Sequence, residues 1–325
     1  LSPSPGLASL DAGQSSRSPE GTRLPTASNR EQPLAARLGA ALRSARTLTL
    51  LLTGWLALAG LTQAMEVVTL PATLRRPALT LHWAPLDDQP HPAVVALHGC
   101  GGLYKRDGHS LDARYPSYVE RLHALGYHVL LPDSFGSRGL TSVCTQRYGT
   151  RSVDIADRRA DVLEALAWLR AQTRVDAGHV ALMGWSNGAT TALSTMDARQ
   201  APPAPPLAAV VLFYPGCGRQ QGAEPAAGAV LVQLGGADDW TPPEPCARLA
   251  KRWQAAGRDV VLDVYAGAYH GFDSDNPVRF RSDVPNGRNA AGVHLGGNPE
   301  AYSASQARLA DFLARHLGPA GQSHP

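Results

Sequence analysis

The sequence predicts a three-layer α/β domain built on a mostly parallel sheet. Two observations carry that expectation. From residue 78 onward, short apolar runs alternate with segments of helical periodicity. Two of the runs, Ala208–Tyr214 (AAVVLFY) and Ala229–Leu234 (AVLVQL), are apolar almost without a break, as strands buried on both faces must be.

Taken in order, His91–Leu97 (HPAVVAL) reads as a strand that runs into the glycine-rich turn His98-Gly99-Cys100-Gly101-Gly102. Residues 115–126 follow as a helix with Tyr118, Leu122 and Leu125 on one face, and His128–Leu131 as a strand closed by Pro132-Asp133. Residues 152–173 give the clearest helix, with Ile155, Val162, Leu166 and Leu169 at helical spacing. Strand His179–Gly184 leads into a helix carrying Ala189, Ala192, Leu193 and Met196. After the two apolar strands, helix 244–256 precedes strand Asp259–Tyr265. The last helix opens at Asn298-Pro299, a cap residue followed by proline at the first position, and stops near Gly318. Residues 272–297 show no periodicity; loops of that length in a compact domain are commonly lids or binding loops.

The first 64 residues read differently. Residues 1–36, rich in Ser, Pro, Gly and Arg, read as a disordered extension. Residues 37–64 read as a signal peptide: Arg43 and Arg46, then the apolar run Thr47–Leu61, then Thr62-Gln63-Ala64 with small residues at the −3 and −1 positions. The run is short for a membrane span of about 20 residues, so contact with the membrane is expected only in transit. The expected location is periplasmic or secreted. A start at Met65, the first methionine, would remove the leader and make the protein cytoplasmic.

Residues 65–325 then form the catalytic domain. The 325-residue chain is 44% apolar and 18% charged, a globular composition. Its formal charge is +3, but six arginines against three acids lie in residues 1–64, leaving 24 basic and 24 acidic residues in the rest. A neutral domain has no electrostatic footprint for nucleic acid. The four cysteines lack C-x-x-C spacing, so zinc or thioredoxin-like chemistry is not expected; an even number in an exported chain points to two disulfides.

The chemistry is concentrated in four loops. Gly184-Trp185-Ser186-Asn187-Gly188 is a G-x-S-x-G sequence between a strand and a helix, the turn that holds a nucleophilic serine exposed at the carboxyl edge of a sheet. A serine hydroxyl needs a base, and in an α/β-hydrolase the acid and the histidine follow the serine in that order. Asp238 lies just past strand 229–234 and His270 just past strand 259–265. His270 would be the general base and Asp238 would orient it; Asp239 is the alternative acid, or a cap for the next helix. Oxyanion donors are expected from the N–H of Asn187, the residue after the nucleophile, and from the N–H of Cys100 in the HGCGG turn, with Gly101 in reserve.

The combination HGCGG, GYHVLLPDSF, GWSNG, GGADDWTP and YHGF resembles the dienelactone hydrolase family over about residues 78–316. The resemblance implies an eight-stranded, mostly parallel sheet, no metal, no cofactor, and hydrolysis of small esters or lactones. It places the nucleophile on Ser186, the acid on Asp238 and the histidine on His270. This chain has serine where the best-known members have cysteine, and Gly99 in the loop where they carry Glu. Those departures point to a broader carboxylesterase acting on a small-molecule or polymeric ester.

In the α/β-hydrolase strand order, the strand before Cys100 neighbours the one before Cys144, and the strand before Cys217 neighbours the one before Cys246. The expected pairs are therefore Cys100–Cys144 and Cys217–Cys246. Three other functions fit the sequence less well. The GWS tripeptide resembles cutinase-like polyester hydrolases, although HGCGG does not. A prolyl-oligopeptidase-type peptidase usually needs a large extra domain. A non-catalytic binding protein on this scaffold would have lost a triad member, and none is missing.

Overall fold

The computed structural model describes residues 64–318, apart from Arg75. The extension 1–36 and nearly all of the signal peptide 37–64 lie outside the described residues. An eight-stranded sheet runs in the order β1-β2-β4-β3-β5-β6-β7-β8. Its strands are β1 (Glu66–Leu70), β2 (Leu79–Ala84), β3 (His91–Leu97), β4 (His128–Asp133), β5 (Val175–Trp185), β6 (Ala209–Phe213), β7 (Ala229–Gly235) and β8 (Val260–Tyr265). β1 and β2 are antiparallel; every pairing from β4 to β8 is parallel. β1 and β2, which the sequence pattern had not marked, form one edge.

The helices are α1 (Arg114–Ala124), α2 (Ile155–Arg170), α3 (Asn187–Thr195), α4 (Pro243–Ala255) and α5 (Pro299–Leu317). Because side chains alternate along a strand, each central strand feeds two cores. Val95, Leu182 and Val210 pack with Leu166, Leu193, Leu249 and Trp253 on the α2–α3–α4 side. Val94, Met183 and Val211 pack with Leu122, Leu309 and Phe312 on the α1–α5 side. β3, β4, β6 and β7 are buried along their whole length, which is why their sequences are mostly apolar.

Helix ends follow local chemistry. Asp154 caps α2 in a reciprocal box with Asp157. The Asn298 side chain accepts from the Ala301 N–H, and Pro299 takes the first position of α5.

The segment 272–297 is ordered, and it holds a short antiparallel hairpin of β9 (Arg279–Arg281) and β10 (Val293–Leu295). A third, smaller core of Phe135, Val143, Val153, Trp240, Val284 and Val293, with the cystine of Cys100 and Cys144, seats it over the carboxyl edge of the sheet. Among the described residues, no helix is long and apolar enough to cross a membrane.

Candidate active site

The turn at Ser186 is as sharp as its glycines require. Ser186 has φ 54° and ψ −115°, a strained conformation for a residue with a side chain. A Cβ on Gly188 would lie 2.2 Å from the Leu97 carbonyl oxygen, and one on Gly184 would lie 2.5 Å from the Gly188 carbonyl carbon. Only glycine lets α3 start against β3 and β5 so closely. The Ser186 N–H donates to the Phe213 carbonyl, and its own carbonyl accepts from the Thr190 N–H, at 2.9 Å each. The turn is thus pinned on both sides.

Loops after neighbouring strands bring the other candidates to the same edge. His270 Nδ1 donates to Asp238 Oδ2 at 2.8 Å. The other carboxylate oxygen accepts from the Trp240 and Thr241 N–H groups at 2.9 and 2.8 Å. With Nδ1 committed, Nε2 is left as the acceptor. The imidazole lies between the Tyr214 and Trp240 rings, at centroid distances of 4.6 and 4.7 Å. Asp239 turns away: its carboxylate accepts from the His294 N–H and ring on β10, at 2.8 and 2.7 Å, and so holds the hairpin. The Ser186 hydroxyl makes no hydrogen bond among the described residues. In ligand-free hydrolases the serine–histidine contact is often long and tightens only around substrate.

The HGCGG turn is held carbonyl by carbonyl. Gly99 O accepts from the His98 ring at 2.8 Å and from the Gly102 N–H at 3.2 Å. Cys100 O accepts from the Val143 N–H at 2.8 Å and the Ser142 hydroxyl at 3.1 Å, and Gly102 O from the Tyr115 hydroxyl at 3.0 Å. In a planar trans peptide, fixing a carbonyl fixes the next N–H in the opposite direction. The Cys100 and Gly101 amides are therefore set before any ligand arrives. Neither of these, nor the Asn187 N–H, has a protein acceptor among the described residues. His98 Nδ1 donates and Nε2 accepts from the Ser134 N–H; burial, with help from Arg158, keeps this ring well below the usual imidazole range and so neutral. Disulfides join Cys100 to Cys144 and Cys217 to Cys246, with Cα separations of 4.9 and 5.1 Å, and the described residues hold no free cysteine.

Three residues that the sequence reading had passed over organise this edge. Thr241 Oγ1 lies 2.9 Å from Asp238 Oδ2, 3.0 Å from the Tyr214 carbonyl and 3.1 Å from His270 Nδ1. Its signal was the spacing Asp-x-x-Thr, in which the aspartate accepts from backbone N–H groups two and three residues on. Asp273 is fully buried and accepts from Tyr118 OH at 2.7 Å, Trp185 Nε1 at 2.8 Å, Tyr214 OH at 2.6 Å and the Arg114 guanidinium. Burial pushes its carboxyl up, but Arg114 and the two tyrosines hold it below the usual range. Asp273 thus ties the histidine loop to the residue before Ser186.

Arg158 is the third. It stands on the apolar stripe of α2, between Ile155 and Val162, and a charge on such a stripe was the overlooked signal. Burial lowers its guanidinium to about 10, still protonated at neutral pH.

A cavity of about 370 Å³ opens beside the elbow, lined by Asn187, Thr190, Gly216, Tyr148, Arg151 and Arg219. Among the described residues no group of three or more His, Cys, Asp or Glu side chains is placed to hold a metal ion.

Solved structures similar to this chain include esterase 2 of Thermogutta terrifontis phosphoramylated by tabun, at 21% identity and a TM-score of 0.55, covering 81% of this chain and 98% of that one. The same esterase phosphorylated by paraoxon matches at 22% and 0.55, covering 80% and 97%. Its propionate-bound form, described as a thermophilic esterase from a Planctomycetes species, matches at 20% and 0.54, covering 81% and 98%. At such identities the likeness speaks for the fold. A search of curated proteins finds no match. The family model described as the dienelactone hydrolase family matches residues 80–317, a span that runs from β2 to the end of α5 and includes all four candidate loops; the chain belongs to the dienelactone hydrolase family.

Proposed function

We propose that this protein is an exported serine carboxylic-ester hydrolase that cleaves small esters or lactones through an acyl-enzyme on Ser186. The observation that carries the reading is the Asp238–His270 hydrogen bond at the sheet edge that also presents Ser186. In this reading, His270 Nε2 takes the proton as Ser186 Oγ bonds to the ester carbonyl carbon, and Asp238 stabilises the imidazolium. The Cys100 and Asn187 N–H groups receive the oxyanion. His270 returns the proton to the leaving alcohol as the C–O bond breaks, and water then releases the acid by the same steps. In a lactone the alcohol stays tethered, so the ring opens.

The cavity beside Asn187 is where the acyl or alcohol portion would sit. Organophosphate adducts are described for the similar esterase, which makes a fluorophosphonate a fitting probe here. Export is supported by two disulfides, which form and persist in oxidising compartments.

The test is labelling and turnover together. A fluorophosphonate should label Ser186, and Ser186→Ala should lower kcat on p-nitrophenyl butyrate by about 10⁴-fold or more with the fold intact. Near-normal turnover in Ser186→Ala would sink the reading. For export, the N-terminus of protein recovered outside the cytoplasm should begin at Met65.

A further inference from the structure

Arg158 is 1% exposed and forms no ion pair among the described residues. Nη1 donates to Asn187 Oδ1 at 2.5 Å, and Nη2 donates to the His98 carbonyl at 2.7 Å. The acids that act on it at longer range are occupied elsewhere. Asp161 accepts from Arg138 at 2.8 and 3.0 Å, and Asp133 accepts from the Phe135 and Gly136 N–H groups. The Phe135 ring lies 5.3 Å away, and Tyr115 and Arg151 also act on the guanidinium.

A buried cation without a direct ion pair, its acids Asp161 and Asp133 acting only at longer range, is a poor way to hold a fold, since an apolar residue of similar size would avoid the desolvation cost. Its two partners are informative. Asn187 bears both the side chain that Arg158 grips and the N–H of one oxyanion donor. His98 begins the turn whose third residue, Cys100, offers the other.

We propose that Arg158 is the positioning residue of the oxyanion hole: it locks the two donor loops to each other and lends the site a positive charge. The charge acts through low-dielectric protein, where it favours the anionic tetrahedral intermediate over the neutral ester. This rests on the serine-hydrolase reading above.

Removing a donor that touches the oxyanion costs about 10²–10³ in kcat in known cases. A group acting one hydrogen bond behind the donors should cost less, about 10- to 100-fold. The experiment uses Arg158→Met, Arg158→Lys and Asn187→Asp in the full-length protein. It reads kcat and KM on p-nitrophenyl butyrate, the Ki of a trifluoromethyl ketone, the melting temperature and fluorophosphonate labelling.

Asn187→Asp is the decisive variant, because it keeps shape and backbone N–H while giving Arg158 a carboxylate. We expect it to fold at least as stably as the parent and yet lose about 10-fold or more in kcat, with KM little changed and ketone binding weakened in parallel. Arg158→Met should show the same split, and Arg158→Lys should recover part of the loss. Wild-type kcat and ketone affinity in a folded Asn187→Asp protein would overturn the proposal and leave Arg158 a structural residue. Absence of fluorophosphonate labelling in the parent protein would overturn the serine-hydrolase reading itself, and this inference with it.

Discussion

Replacing Asp273 by asparagine isolates one charge at the junction of the candidate loops. Oδ2 accepts from Tyr118, Trp185 and Arg114, and Oδ1 from Tyr214 alone. The Trp185 and Arg114 N–H groups cannot become acceptors, whereas the Tyr214 hydroxyl can rotate to accept. An asparagine would therefore place its oxygen at the Oδ2 position and its NH₂ toward Tyr214, and every hydrogen bond survives. What is lost is the ion pair with Arg114. Breaking a buried pair by removing one partner costs about 3–5 kcal/mol. The Arg114 side chain is 19% exposed, so water takes up part of that, and we expect about 2–3 kcal/mol at neutral pH. For a domain of this size each kcal/mol moves Tm by about 2–4 °C, giving a drop of roughly 5–10 °C in calorimetry. Adding Arg114→Met should return part of the loss, because the cation left without a partner is then gone. The effect has a pH signature. The folded carboxyl titrates below its ordinary 3.8, so its stabilisation is complete above about pH 4 and is lost as pH falls through the folded value. The difference between parent and variant should therefore shrink in acid. An Asp273→Asn protein that melts with the parent at pH 7, or a difference that persists unchanged to pH 3, would refute the argument.

Asp238→Asn should lower kcat by about 10⁴-fold by disturbing the histidine tautomer, while Asp239→Asn should mainly loosen the β9–β10 hairpin; a larger kcat loss in Asp239→Asn would move the acid assignment. The disulfides close loops of 44 and 29 residues, for which chain entropy gives about 4 and about 3.6 kcal/mol. Melting in dithiothreitol should fall accordingly, and an unchanged Tm with both bonds reduced would contradict it. His82, His98 and His128 are all held below the usual imidazole range by burial. The unfolded chain thus binds their protons first, and stability should fall as pH drops below about 6.5. A Tm that stays flat from pH 7 to 5 would show that these rings are not neutral in the folded state.

The legible parts of the fold were those where one physical demand dominates. β6 and β7 are buried on both faces, and their sequences can hardly be read otherwise. α2 showed itself by periodicity, and α5 by its Asn-Pro start. The antiparallel edge was harder. β1 is largely solvent-facing, and β2 has histidine and tryptophan among its buried positions, so neither gives a clean alternation. The β9–β10 hairpin has three-residue strands, too short for any period to register. Its order comes from tertiary anchors instead: the Asp239–His294 bond, the Arg288 N–H on the Asp239 carbonyl, and the small core around the Cys100–Cys144 cystine.

The site divides in the same way. Ser186, Asp238 and His270 could be named as candidates because each sits at a fixed place relative to a strand end, and parallel strands deliver their following loops to one edge. Thr241, Asp273 and Arg158 have no such address. Their importance lies in partners more than 25 residues away in sequence: His270 for Thr241, Trp185 for Asp273, Asn187 for Arg158. Composition and spacing carry only their oddity, an acid beside buried Phe272 and an arginine on an apolar helix face. That oddity has a physical reading. Burying an ionised group is unfavourable unless its partners are in place, so a sequence that keeps one on a core face marks where the fold must hold a particular geometry. Here two of the three, Asp273 and Arg158, brace opposite ends of the same elbow: Trp185 before Ser186, and Asn187 after it. The strained φ of 54° at Ser186 thus lies between two residues that are each hydrogen-bonded to a buried charge.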